Sequence, residues 1–162
     1  MKNYVLTPGP VPVPEFVLLE MAKPIIHHRT EEFEAIFSKA TEGLKKVFMT
    51  KEEVLILASS GTGAMDAAIS NTLSKGDKAL VINGGKFGER WLKICKAYGV
   101  ETVELKVEWG QAVETSKIKE ILKNDTSIKA ILIQASETST GVEHPIEEIS
   151  SLTKNRDDIT TC

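Results

Sequence analysis

The chain has 162 residues, enough for one α/β core of ordinary domain size. Its net charge of −3, with 41% hydrophobic and 27% charged residues, makes neither nucleic acid nor an anionic membrane an expected partner. No apolar run approaches the roughly 20 residues that span a bilayer, and the N-terminus has no long apolar region typical of a signal peptide.

The first third of the chain is predicted to be extended at first and then helical. Prolines recur through residues 7–14 and exclude a helix there, because proline removes a donor and pushes the residue before it to extended geometry. Pro14 is expected to open a short helix that Pro24 ends. Thr30 is predicted to cap a long helix, whose apolar residues recur at helical spacing as far as Phe48.

From residue 53 onward, the pattern alternates between strands and helices. The continuous apolar run 54–58 predicts a strand buried on both faces. Further predicted strands are 79–82, 102–105, 128–133 and 159–162, and the predicted helices are 62–74, 87–98, 115–123 and 145–154. This alternation indicates an α/β fold with a mostly parallel sheet flanked by helices. A further strand should begin where the chain ends, so we expect the domain to be truncated.

The loop after the first predicted strand has the composition of a phosphate cup. Gly61 and Gly63 let the backbone approach a ligand, Ser60 and Thr62 add hydroxyl donors, and the following helix offers its N-terminus. Asp66 stands where the dinucleotide fingerprint has its third glycine, and the Gly-Lys-Ser/Thr ending of a Walker A loop is missing. A tight turn with a hydroxyl cap is the alternative.

Two later strand-end loops carry further candidates. Phe87 would sit at the start of a helix, where it could stack on a flat ring, although it could equally be a core aromatic under a loop. Residues 134–142 hold several hydroxyls, the carboxylate of Glu137 and a turn-forming Gly141. Thr138 could donate to a phenolate-like oxygen, and the alternative for this loop is a solvated surface segment.

The remaining reactive side chains favour structural roles. His27, His28 and Arg29 could bind an anion or form a polar turn, and His144 is expected to cap the helix after Pro145. Cys95 is expected to be a buried free thiol. Cys95 and Cys162 lack metal or redox spacing, which favours a reducing, cytoplasmic setting and no metal site.

Four motifs in this order resemble the class V aminotransferases, particularly the alanine/serine–glyoxylate group, some members of which are labelled as a soluble hydrogenase small subunit. The motifs are Thr-Pro-Gly-Pro at 7–10, Ser-Gly-Thr-Gly at 60–63, Asn-Gly-Gly-x-Phe-Gly-x-Arg at 83–90 and Glu-Thr-Ser-Thr-Gly at 137–141. The resemblance implies the large domain of a fold-type I aminotransferase, with pyridoxal 5′-phosphate as cofactor and a homodimer as the assembly. The expected domains are an arm with a short helix (1–30) and an incomplete cofactor-binding domain (31–162), without the C-terminal small domain.

The resemblance also assigns roles to particular residues. Ser60, Gly61 and Thr62 match the phosphate cup, Phe87 matches the aromatic that stacks on the pyridine ring, and Thr138 matches the hydroxyl residue near the cofactor's O3′. The backbone of Gly9 matches the lining of the substrate pocket. The cofactor-bearing lysine, the aspartate that pairs with the pyridine nitrogen and the substrate-binding arginine are all expected beyond Cys162. No catalytic residue is therefore assigned, and the 162 residues alone are expected to be inactive.

By this resemblance, the parent protein would exchange an amino group between alanine or serine and glyoxylate or pyruvate. Two alternatives remain open at this stage. One is a cysteine desulfurase-like enzyme, which would need a nucleophilic cysteine outside these residues. The other is a non-catalytic module that binds phosphate or nucleotide.

Overall fold

The computed structural model describes residues 5–162, and these form two compact units that divide between residues 58 and 59. Residues 5–58 contain the helices α1 (Glu15–Met21) and α2 (Glu31–Val47). The Thr30 hydroxyl accepts a 3.3 Å hydrogen bond from the backbone N–H of Phe33, which confirms the predicted cap of α2. The predicted domain boundary at residues 30 and 31 stays a prediction.

The apolar face of α2 is predicted correctly, but residues 5–58 bury no side chain completely. The partly or largely exposed apolar residues of α2 and its cap include Phe33, Ile36, Phe37, Leu44, Val47 and Phe48. An amphipathic pattern predicts which side of a helix is apolar, but it does not supply the surface that covers that side.

The strand predicted at residues 54–58 is wrong. Residues 53–57 have no regular secondary structure, and the side chain of Leu55 is 78% exposed. An apolar run becomes a strand only where a neighbouring strand pairs with its backbone. Within residues 5–162, neither of the two sheets includes this segment.

Residues 59–162 hold the other elements. They are α3 (Gly61–Thr72), β1 (Lys78–Asn83), α4 (Lys86–Tyr98), β2 (Glu101–Lys106), α5 (Thr115–Asn124), β3 (Ile128–Leu132), β4 (Ser136–Glu137), β5 (Val142–Glu143), α6 (Ile146–Ser151) and β6 (Thr160–Thr161). The predicted elements match within two residues, except for the last helix. It ends at Ser151 rather than Lys154, where hydroxyls of successive Ser and Thr residues bond to backbone carbonyls and compete with the helix ladder.

The main sheet is parallel, with strand order β2-β1-β3-β6, and β4 and β5 form a separate antiparallel pair. Because side chains alternate across a strand, Ala79 and Val81 of β1 face a core shared with α3 and α4. Leu80 and Ile82 face a second core, built with α5 and α6. Helices thus cover both faces, which confirms the predicted fold class. No helix of residues 5–162 is long and apolar enough to cross a membrane.

Candidate functional site

The order of the strands creates a topological switch point between the carboxyl ends of β1 and β3. These strands are hydrogen-bonded neighbours, but α4, which follows β1, packs in one core, whereas α6, which follows β3, packs in the other. Open α/β sheets bind ligands where consecutive connections part to opposite faces in this way. Phe87, in the first turn of α4, and Thr138, after β4, both follow strands that end at this edge of the sheet.

The first turn of α3 is open to a ligand. Ser60 is exposed and stands at the N-cap, but its side chain makes no capping hydrogen bond, so the predicted alternative of a hydroxyl cap is not observed. A Cβ atom added to Gly61 would meet no atom within 4 Å, whereas one added to Gly63 would overlap the Ser59 side chain. The backbone at Gly61 is therefore accessible from outside, whereas Gly63 is closely packed against Ser59. An accessible first helical turn suits an anion held by backbone N–H groups.

Arg90 of α4 links two of the predicted cofactor-binding segments. Its Nη1 atom donates a 2.7 Å hydrogen bond to the hydroxyl of Thr62, and its guanidinium carbon lies 5.0 Å from the centroid of the Phe87 ring. Because a hydroxyl can accept and donate at once, Thr62 keeps its own proton for a ligand. The guanidinium places a positive charge beside the first turn of α3 and against one face of Phe87.

Glu137 is a buried carboxylate at the start of α4, with only 1% of its surface exposed. One carboxylate oxygen accepts hydrogen bonds from the backbone N–H groups of Phe87 (3.1 Å) and Gly88 (3.0 Å). The other accepts from the backbone N–H of Ser139 (3.3 Å) and from its hydroxyl. The N-terminus of α4 thus already holds an anionic side chain, whereas that of α3 has no side-chain cap.

The predicted site residues are distributed unevenly among these contacts. Thr62 and Phe87 are half-buried and joined through Arg90, and Thr138 is exposed directly after Glu137. Gly141 adopts a positive φ of 72°, as expected of the turn-forming residue. Gly9 is exposed in residues 5–58, and its role in a substrate pocket stays a prediction.

Sequence reasoning gave no role to Arg90 and Glu137, although both belong to the quoted motifs. For Glu137, the sequence signal is a single carboxylate among hydroxyl residues at a strand end. The structure adds that Gly85, which has no side chain, leaves room for it. The role of His144 was predicted wrongly. Its Nδ1 atom accepts a 3.1 Å hydrogen bond from the backbone N–H of Val113 instead of capping α6. Burial lowers the pKa of its ring below the ordinary value, and the nearby Glu137 offsets only part of this effect.

Comparison with known proteins gives a consistent family match. The family model described as "Aminotransferase class-V" matches residues 16–162. An uncharacterised aminotransferase of Methanocaldococcus jannaschii is 45% identical over 97% of this chain and 41% of its own length. An L-aspartate–glyoxylate aminotransferase of Paracoccus denitrificans is 36% identical over 91% of this chain and 38% of its own.

The fold agrees with solved aminotransferase structures. The crystal structure of an aspartate aminotransferase of subgroup IV from Thermus thermophilus superposes with a TM-score of 0.90 and 32% identity, over 98% of this chain and 44% of that one. Among sequence relatives, a soluble hydrogenase small subunit of a Synechococcus strain is 46% identical, over 92% of this chain and 39% of its own length. The chain thus spans about two fifths of the length of the proteins that it matches.

Proposed function

Because the chain belongs to the class V aminotransferase family, we propose that the protein containing it transfers an amino group between a small amino acid and a 2-oxo acid. Alanine or serine is the proposed donor, and glyoxylate or pyruvate the proposed acceptor. Relatives named as aspartate–glyoxylate and serine–glyoxylate aminotransferases support glyoxylate in particular. The assembly proposed is a homodimer.

The proposed cofactor is pyridoxal 5′-phosphate, which supplies an electron sink for amino-group chemistry when it is bound. The residues present fit its phosphate: the bare backbone at Gly61, the uncapped first turn of α3 and the Thr62 hydroxyl are all suited to an anion. Phe87 would stack on the ring, and Thr138 would donate toward O3′. Gly9 would line the substrate pocket, and none of these residues is assigned a catalytic role.

One observation carries this proposal: Arg90 joins Thr62 to Phe87. The two residues are far apart in the sequence, and each alone has an ordinary structural explanation. A phosphate group and a flat ring are parts of the same small molecule, so a phosphate cup tied to a half-buried aromatic side chain favours a ligand that has both.

Cofactor affinity tests the phosphate cup in the full-length protein. Gly61→Val should weaken pyridoxal phosphate binding about tenfold or more, because the branched side chain blocks the approach of phosphate to the backbone N–H groups and removes a charge-assisted hydrogen bond. The Cβ atom of the valine would meet no neighbouring atom of the fold within 4 Å. Equilibrium dialysis measures the effect.

Ser70→Val is the matched control, because it places the same side chain at an exposed position of the same helix. The affinity of Ser70→Val for pyridoxal phosphate should equal that of the unaltered protein. Equal affinity in Gly61→Val would contradict the assignment of Ser60, Gly61 and Thr62 as the phosphate site. Tight binding of nucleotides with no response to pyridoxal phosphate would instead support the nucleotide-binding alternative.

Turnover assays test the reaction itself. The full-length protein should consume alanine or serine together with glyoxylate or pyruvate, and stoichiometric formation of the new amino acid should accompany it. Release of sulfide and alanine from cysteine, without amino-group transfer to a 2-oxo acid, would favour a cysteine desulfurase instead.

A further inference from the structure

Glu137 is a buried anion with no cationic partner among the hydrogen bonds and ion pairs that it makes within residues 5–162. Burying a carboxylate is costly unless hydrogen bonds replace its hydration. Here three backbone N–H groups and one hydroxyl do so, and two of those N–H groups belong to the first turn of α4. The positive end of that helix adds to the stabilisation.

The surrounding backbone is shaped around this carboxylate. A Cβ atom at Gly85 would lie 2.6 Å from both Cγ and Cδ of Glu137 and 2.5 Å from the Ser139 hydroxyl oxygen. Since Gly85 has an ordinary extended φ of 170°, the absence of a side chain is needed for space and not for conformation. The loop after β1 and the loop after β3 therefore close on one side chain.

Phe87 is joined to this carboxylate through its backbone. Its backbone N–H is held by Glu137, while the guanidinium of Arg90 lies against its ring. The residue after Glu137 is Thr138, so the carboxylate ties the aromatic side chain to the proposed O3′ donor. A shift of the first turn of α4 would move Phe87 relative to both the phosphate cup and Thr138.

We propose that Glu137 is a positioning residue for the cofactor: its buried carboxylate fixes the orientation of Phe87 relative to Thr138 and thereby sets the tilt of the bound ring. This inference rests on the proposed function, because it assumes that Phe87 stacks on pyridoxal phosphate. A helix cap with only a structural role would contribute to stability without changing the environment of the bound ring.

Two variants in the full-length, cofactor-loaded protein test the inference. Glu137→Gln keeps the shape of the side chain but turns an N–H group toward either α4 or Ser139, where donors already point. Gly85→Ala keeps the glutamate at position 137, but the added methyl group displaces its carboxylate. Both should reduce the visible circular dichroism per bound cofactor and raise the cofactor dissociation constant by up to about tenfold, the loss expected when an aromatic stacking contact is weakened.

Ile118→Val is the stability control, because Ile118 is fully buried in the core on the other face of the sheet. It should lower the melting temperature and leave the circular dichroism per bound cofactor unchanged. If Glu137→Gln and Gly85→Ala lower only the melting temperature, Glu137 is a structural cap and the inference is overturned.

Phe87→Leu separates this failure from failure of the proposed function. If Phe87→Leu changes the cofactor signal and the other two variants do not, the inference alone is wrong. If Phe87→Leu changes neither the signal nor the affinity, ring stacking is wrong and the inference falls with it. Should Glu137→Gln fail to fold, Gly85→Ala decides the outcome by the same criteria.

Discussion

Residues 5–58 and residues 59–162 carry similar apolar patterns but use them differently. In the second unit, helices cover both faces of a parallel sheet, and side chains such as Ile131 and Ile118 are fully buried. In the first unit, α2 has an equally regular apolar stripe, yet Ile36 remains 56% exposed. A regular pattern therefore predicts an element in both units but a core in only one.

The difference lies in backbone pairing. In the second unit, β1 has β2 on one side and β3 on the other, and that ladder gives the neighbouring helices a surface to cover. In the first unit, the apolar run at residues 54–58 pairs with no strand within residues 5–162. Stability should therefore be concentrated in residues 59–162, and four predictions test this.

The largest effect is expected from truncation of the same residue type in the two units. Ile131→Ala removes fully buried atoms from a close-packed core and should lower the free energy of unfolding by about 2–5 kcal/mol. Ile36→Ala, at a largely exposed position of α2, should change it by about 0.5 kcal/mol or less. Urea denaturation monitored by circular dichroism gives both values. Equal losses would show that the α2 stripe is buried in solution.

The second prediction concerns thiol reactivity. Burial raises the pKa of the Cys95 thiol to about 11, whereas an exposed cysteine has a pKa of about 8.5. At pH 8, Cys95 should therefore react with a disulfide reagent about a hundredfold more slowly than a cysteine introduced by Met49→Cys in the exposed turn after α2. Stopped-flow labelling of the two sites, each in a background without other cysteines, measures the ratio. Comparable rates would mean that the core of the second unit opens readily.

The third prediction compares two glycines in helices. A Cβ atom at Gly88 of α4 would lie 2.7 Å from Cα of Asn83 and 2.8 Å from the carbonyl oxygen of Ile82. Gly88→Ala should thus cost about 1–3 kcal/mol, because backbone atoms cannot move aside easily. Gly43→Ala in α2 meets no atom within 4 Å and should stabilise the protein by roughly 0.4–1 kcal/mol. The melting temperature should fall in Gly88→Ala and rise in Gly43→Ala. A lower melting temperature in both variants would contradict the open surroundings of Gly43.

The smallest expected effect is on the free energy of unfolding at acid pH. Hydrogen bonds from Ser127, and then from Lys78, lower the pKa of Asp125 to about 2 from an ordinary 3.8. Because the unfolded chain takes up the proton first, this contribution is present above pH 3.8 and is lost as the pH falls toward 2. Asp125→Asn should make the free energy of unfolding fall less steeply between pH 3.8 and pH 2, as measured by urea denaturation at several pH values. Glu20→Gln, in an exposed ion pair of α1, is the control for the loss of one negative charge.

Much of the chain could be read correctly because its signals are local. Thr30 before an apolar repeat predicted the start of α2, and Gly99, with a φ of 69°, ends α4 as glycine is expected to do. The motifs around Gly61, Phe87 and Thr138 were located at the starts of helices or strand-end loops, where the structure also has them. In each case the informative residues lie within a few positions of the feature that they predict.

By itself, then, the sequence determined the helices, most of the strands, the parallel character of the sheet and the family resemblance. Only the tertiary structure decided that residues 53–57 stay unpaired, that β3 lies beside β1, that Arg90 links Thr62 to Phe87 and that Glu137 holds the start of α4. Propensity and periodicity depend on neighbours along the chain. Strand order and a buried carboxylate depend on hydrogen bonds between residues about 50 positions apart, and those partners become defined only when the sheet has formed.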